Sequence, residues 1–229
     1  MTEVPYFDVL LTRLVGHREL SLDGLARLSA VPEADLRAVF DGAAPEPWLL
    51  RRLAPVLQLH PEDLFVIASV ALPPEMTPLD PYAGGAVASL AEHAMGLPQR
   101  EQDRLRRLAA SLPQEDRTRP APEPRPPLRY PPGPGGLLMR LLANRNLRWS
   151  AGAQVFLYLT GRYWSPATYA QVGHGLMELS PDLQADYATV LGIRADDLAV
   201  LTGIGLPDGH RLPPRATAEV PASSGTSGA

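Results

Sequence analysis

The side chains that most often carry catalysis are few in this chain and are not grouped. Five histidines stand at positions 17, 60, 93, 174 and 210, and none has a neighbour at the spacing that sets paired metal ligands on one helix face. There is no Cys, which excludes a disulfide framework and a zinc-thiolate site. There is no Lys either, so no phosphate-binding loop can be completed. The glycines of 133–136 end a proline-rich stretch and do not follow a strand. Scattered Ser, His and Asp residues support no catalytic grouping. No enzyme activity, cofactor or metal site is expected. What remains is non-covalent recognition, carried by 21 arginines together with amide and hydroxyl side chains.

The elements that must position these groups read as helices throughout. The chain is rich in Leu and Ala and has no long β-branched run. Phe7, Leu10, Leu11 and Leu14 share one face of a helix over 6–17. Ser21 suits the cap of a second helix, whose face carries Leu22, Leu25, Ala26 and Leu28. Ser29-Ala30-Val31 breaks it, and Pro32 opens a third helix with Glu33 and Asp35 in its first turn, where acids favour the helix dipole. Leu36, Val39 and Phe40 form its buried face, and Asp41-Gly42 stops it. An apolar-faced segment over 47–59 follows, with a kink or early break expected at Pro55. A fifth helix starts at His60-Pro61. Two helices joined by a three- or four-residue turn, within five helices in about 65 residues, form a helix-turn-helix arrangement.

Residues 1–72 thus make a first helical domain. Residues 73–112 hold a linker and an amphipathic helix pair, the second helix carrying Leu105, Leu108 and Leu112 beside Arg104, Arg106 and Arg107. Such a pair must pack on the first domain or against another copy of itself. Residues 113–134 contain nine prolines and read as a semi-rigid spacer. Residues 135–207 look like a diverged copy of the first domain. Ser150 is expected to cap its second helix as Ser21 does. Ser165-Pro166 starts the third, in which Tyr169 and Val172 take the places of Leu36 and Val39, and Gly175 that of Gly42. The turn before this helix is longer than its counterpart. Residues 208–229 read as a disordered tail.

The first domain resembles the lambda-repressor-like, or xenobiotic-response-element, family of helix-turn-helix proteins. The matching pieces are the Leu25-Ala26 pair, the turn ending at Val31, the helix ending in Asp41-Gly42, and the run Leu57 to Leu64 (LQLHPEDL). The resemblance covers roughly residues 5–70 and implies an all-α fold of two such domains. It also implies binding to double-stranded DNA, with the third helix in the major groove. Carried over by position, it offers Leu22, Asp23, Glu33, Ala34 and Arg37 in the first domain. Among these only Arg37 can bond guanine through two donors, and an ordinary surface arginine is the alternative. In the second domain it offers Thr168 and Gln171 for bases, Arg145, Arg148 and Arg162 for phosphates, and His174 for either.

Charge counts against that reading. The chain carries −4 overall, and residues 1–72 hold six Arg against ten acids, whereas phosphate neutralisation supplies most of the affinity of DNA-binding proteins. Two functions are weighed, and the first stands ahead on Thr168, Gln171 and the arginines of the second domain and on the usual role of the resembled family. One is a tandem helix-turn-helix transcriptional regulator. The other is a helix-turn-helix-derived module that binds a protein partner or forms a homodimer. Neither a signal peptide nor a membrane span is legible, so a cytoplasmic location is expected.

Overall fold

The computed structural model describes residues 6–77, 84–113 and 125–212. The leader at 1–5, the linker segments 78–83 and 114–124 and the tail beyond 212 lie outside the described residues. Among the described residues the regular structure is all α, as expected, with twelve α-helices, two 3-10 turns and no strand. No helix is long and apolar enough to cross a membrane.

Five helices come first: α1 (Phe7–His17), α2 (Leu22–Ser29), α3 (Glu33–Phe40), α4 (Pro47–Val56) and α5 (Pro61–Ile67). After α6 (Gly84–Met95) and α7 (Gln99–Ser111) come five more: α8 (Pro134–Ala143), α9 (Trp149–Thr160), α10 (Pro166–Gly173), α11 (Pro181–Leu191) and α12 (Ala195–Thr202). The two sets pack alike. In the first, α1 and α2 lie on α3, α2 lies on α4, and α4 lies on α5; in the second, α8 and α9 lie on α10, α9 lies on α11, and α11 lies on α12. The backbone repeats as well. Left-handed residues fall at matching stops: Glu19 and Asn146, Ala30 and Gly161, Gly42 and Gly175, Gln58 and Gly192, Ser69 and Gly203. At four of these stops the second set has glycine, which takes this conformation without the side-chain clash that Ala30 or Ser69 must bear.

Local chemistry explains the boundaries. Ser21 Oγ accepts from the Gly24 N–H, Ser165 Oγ from Thr168 and Ser180 Oγ from Leu183, each relieving an unpaired donor of a first turn. Ser150 does not cap α9. The extended residue before that helix is Arg148, because Arg148 occupies the register of Ser21 and Ser150 falls inside the first turn. The helix α4 ends at Val56, one residue past Pro55 and three short of the end of the 47–59 segment, as expected for a break at this proline. The helix α9 runs four residues longer than α2 and is apolar around most of its circumference. The helix α6 packs along it and covers part of that extra apolar surface, while Leu157 and Leu159 stay partly exposed.

The two sets are clasped together rather than swinging on their connection. The first helix of each meets the last helix of the other, α1 against α12 and α8 against α5. An ion pair sits in each contact. Arg18 Nη2 lies 2.6 Å from Asp197 Oδ2, with both side chains under 5 % exposed. Arg145 grips Asp63 with both guanidinium nitrogens, at 2.9 and 2.7 Å. These pairs are counterparts: the arginines each follow the first helix of a set, and the aspartates each lie in the first turn of the last. Residues 125–134 are docked too, since Tyr130 packs against the second core, so this end of the proline-rich stretch is not a free spacer.

Glycine at two positions separates packing from conformational freedom. At Gly135 an added Cβ would sit 2.0 Å from the Val172 carbonyl oxygen, whereas at Gly152, at the end of the first turn of α9, it would meet nothing within 4 Å. In urea denaturation Gly135→Ala is expected to cost about 1–3 kcal/mol by overpacking, and Gly152→Ala to add about 0.5–1 kcal/mol of stability. A stable Gly135→Ala protein would contradict the close crossing of α8 and α10.

Candidate functional site

The helices expected to read a partner are α3 and α10. Each packs on its own set through a narrow buried face, Leu36 and Val39 in α3 and Tyr169 and Val172 in α10. On α3 the exposed residues are Glu33, Ala34, Asp35, Arg37 and Ala38. Arg37 is ion-paired to Glu33 one turn back on its own helix. Leu22 is half-buried and packs against the core, and Asp23 faces Arg27 at 3.6 Å. This surface presents acids rather than the cations that a phosphate backbone attracts.

The arginines expected to reach phosphates are placed differently. Arg145 is a correction: it lies in the clasp rather than on the α10 face. Besides Asp63 it donates to the carbonyls of Leu141 and Leu191, and Asn144 adds a further bond to Asp63 at 3.1 Å. Arg162 is half-exposed and pairs with Asp182 at 2.9 Å, with Asp186 at 3.9 Å. Arg148 precedes α9 and lies close enough to Tyr130 to act on its phenol. Thr168 shares its hydroxyl with the Ser165 cap at 2.9 Å. His174 Nε2 donates to the Pro127 carbonyl at 3.1 Å, and its ring lies 5.0 Å from that of Tyr130. Gln171 is exposed on the outward side of α10.

Two aromatic clusters hold α10 in place. Tyr130 accepts a hydrogen bond from Trp149 Nε1 at 2.7 Å, and its ring fills the space beside Gly173. Beneath α10, Phe156, Tyr169 and Tyr187 pack tilted or edge-on at 4.9–6.1 Å, an arrangement suited to the ring quadrupole. Trp164 Nε1 donates to the buried Asp186 at 2.7 Å. Trp149 and Trp164 are therefore packing residues, while Tyr163 is 63 % exposed. Leu176 is 80 % exposed and Met177 37 %, so the two ends of α10 carry apolar side chains in water.

Nothing in this region resembles a catalytic grouping. A groove of about 560 Å³ beside α10 is walled by Pro131, Gly133, Val172, Met177 and Ile204, with Glu178 as the one charged side chain lining it. Elsewhere, His17, Asp196 and Asp197 bring three ligand-type atoms within 4.8 Å of one another. Arg18 already holds Asp197, and Arg194 holds Asp196 at 3.0 Å, so the cluster is an ion-pair network. Arg18 and Asp197 were not singled out from sequence. The signal that marks them is the shared run of LLTRLVGHREL at 10–20 and LLMRLLANRNL at 137–147, in which Arg18 and Arg145 fall in register. No protein-family model, no curated protein and no solved structure matches the chain.

Burial pushes the Asp186 carboxyl above its ordinary value, against the pull of Trp164 and Arg162. An aspartate raised in the folded state lowers stability above its folded value and costs nothing below its unfolded one. Asp186→Asn keeps an acceptor for Trp164. The variant is expected to be more stable than the parent at pH 7, with the gain shrinking as pH falls and gone below about the ordinary value of 3.8. Urea midpoints at several pH values measure this, and a variant less stable at pH 7 would contradict the assignment.

Proposed function

We propose that the chain is a helix-turn-helix-derived protein-interaction module, related in plan to lambda-repressor-like domains, with α10 as its partner-binding face. The observation that carries this reading is the fate of the cations. Arg145 is spent in the clasp, Arg37 on Glu33, and Arg162 on Asp182 and Asp186. A neutralised arginine releases few counterions from DNA, and counterion release is the main source of non-specific affinity. The α10 face is instead uncharged: Ala167 and Gln171 are exposed on it, flanked by exposed Tyr163, Leu176 and Met177. Aromatic and Met side chains with few charges are the composition of protein-binding surfaces.

DNA binding by a tandem helix-turn-helix regulator is the second reading. It is supported by the placement of α3 and α10. Neither forms the contacts between the two sets, so one chain presents a pair of outward third helices. Each could be weak and still contribute through linkage.

Fluorescence anisotropy with random duplex DNA separates the two. The interaction reading expects no binding at low salt up to about 100 μM protein, the weak end of ordinary non-specific affinity. Binding that falls steeply with salt, and that weakens in Gln171→Ala and Arg162→Ala, would overturn it in favour of the regulator.

A further inference from the structure

The helix α7 is the least used element of the molecule. It carries Leu105, Leu108 and Leu112 at helical spacing, yet none of its residues is buried. Leu108 and Leu112 are each 57 % exposed. An amphipathic helix left in this state lacks the partner that its apolar stripe requires. Its charges are four Arg against two acids, a net of +2 over Gln99–Ser111; Arg106 is held by Asp103 at 2.6 Å, Arg104 lies only loosely by Glu101 at 3.9 Å, and the excess positive charge remains after both pairs.

The matching surface lies on the same chain. From Glu33 to Asp41 there are three acids and one Arg, a net of −2. Ala34, Ala38 and Asp41 follow one another at i, i+4 and i+7 along α3, and all three are exposed. Two alanines one turn apart form a low ledge on which larger side chains of another helix can seat. Asp35 flanks this ledge, and its carboxylate has no cation partner among the described ion pairs. Within one chain α7 packs on α6, and α3 packs on α1 and α2, so the two complementary faces do not meet.

We propose that α7 of one molecule docks on α3 of a second copy, with Leu105, Leu108 and Leu112 over Ala34 and Ala38, and with Arg104 and Arg107 facing Asp35 and Asp41. Both faces are present on every copy. Two such contacts formed reciprocally close a two-fold dimer. The contact is partly electrostatic between exposed groups, so it weakens as salt shortens the screening length. It concerns α3 and self-association, and it can fail while the proposal for α10 stands.

Sedimentation velocity on the full chain tests it. The parent is expected to be a dimer at low salt and to dissociate as salt is raised. Arg104→Glu/Arg107→Glu and Asp35→Arg/Asp41→Arg should each weaken the dimer by about tenfold or more, as expected for charges set like against like across a contact. Mixed in equal amounts, the two variants should associate again, because each mixed contact then pairs opposite charges. Circular dichroism of each variant confirms that it is folded. A parent that stays monomeric at about 100 μM protein even at about 10 mM salt, where screening is weak, overturns the proposal. A dimer unaffected by Asp35→Arg/Asp41→Arg also overturns it, since α7 would then pair with something other than α3.

Discussion

The placement of every candidate surface in this molecule depends on two buried arginine–aspartate pairs, Arg18 with Asp197 and Arg145 with Asp63. Removing such charges from water is costly, and their attraction offsets the cost only when geometry and additional hydrogen bonds are good. Arg145 and Asp63 meet both conditions, and the 2.6 Å contact of Arg18 with Asp197 meets the first. Arg145 uses both nitrogens on Asp63, with Asn144 alongside, and the network around Asp197 includes His17, Asp196 and Arg194. The pairs join equivalent elements in opposite order, so each five-helix set offers the other the same arginine after its first helix and the same aspartate at its last. A two-fold-like docking follows from a repeated sequence, as it does when two identical subunits associate through one self-complementary patch.

This clasp decides what is left for binding. It uses the first and last helices of each set and leaves the third helices facing outward. It also commits Arg145 to Asp63, and it leaves an acidic α3 on one set and an uncharged α10 on the other. Part of the remaining charge is paired within one turn, as in Arg37 with Glu33 and Arg106 with Asp103. Exposed pairs of this kind add little stability, but they cancel the positive field that would draw in a nucleic acid. On the reading proposed above, the result is a repeated helical framework whose outward α10 face suits protein recognition better than a phosphate backbone.

Much of the fold was legible because helix punctuation is local. Ser21, Ser165 and Ser180 cap, Pro47 and Pro166 start, and Gly42 and Gly175 stop helices, and each acts on residues within one turn. The all-α class and the likeness of the two sets follow from that punctuation and from leucine spacing. Ser150 misled because a good capping residue stood two positions beyond the true cap, and register against Ser21 identifies Arg148 instead. The candidate site was less legible because the fate of an arginine depends on what lies opposite it in space. Arg145 is 82 residues from Asp63 and Arg18 is 179 from Asp197. No local pattern distinguishes such arginines from those on the surface. The internal repeat does: a shift of 127 residues matches Arg18 with Arg145, and after the longer turn region of the second set a shift of 134 matches Asp63 with Asp197.

A double-mutant cycle across one clasp tests the account most directly. Arg18→Ala, Asp197→Ala and the double variant would be unfolded in urea beside the parent. Each single change is expected to cost about 3–5 kcal/mol, because it leaves a buried charge without its partner. The double change should cost less than the sum of the two by more than about 1.5 kcal/mol, the mark of residues in direct contact. Additive losses of a few tenths of a kcal/mol would mean that Arg18 and Asp197 face water, and that the two halves of the chain are not held in the arrangement on which the remaining conclusions rest.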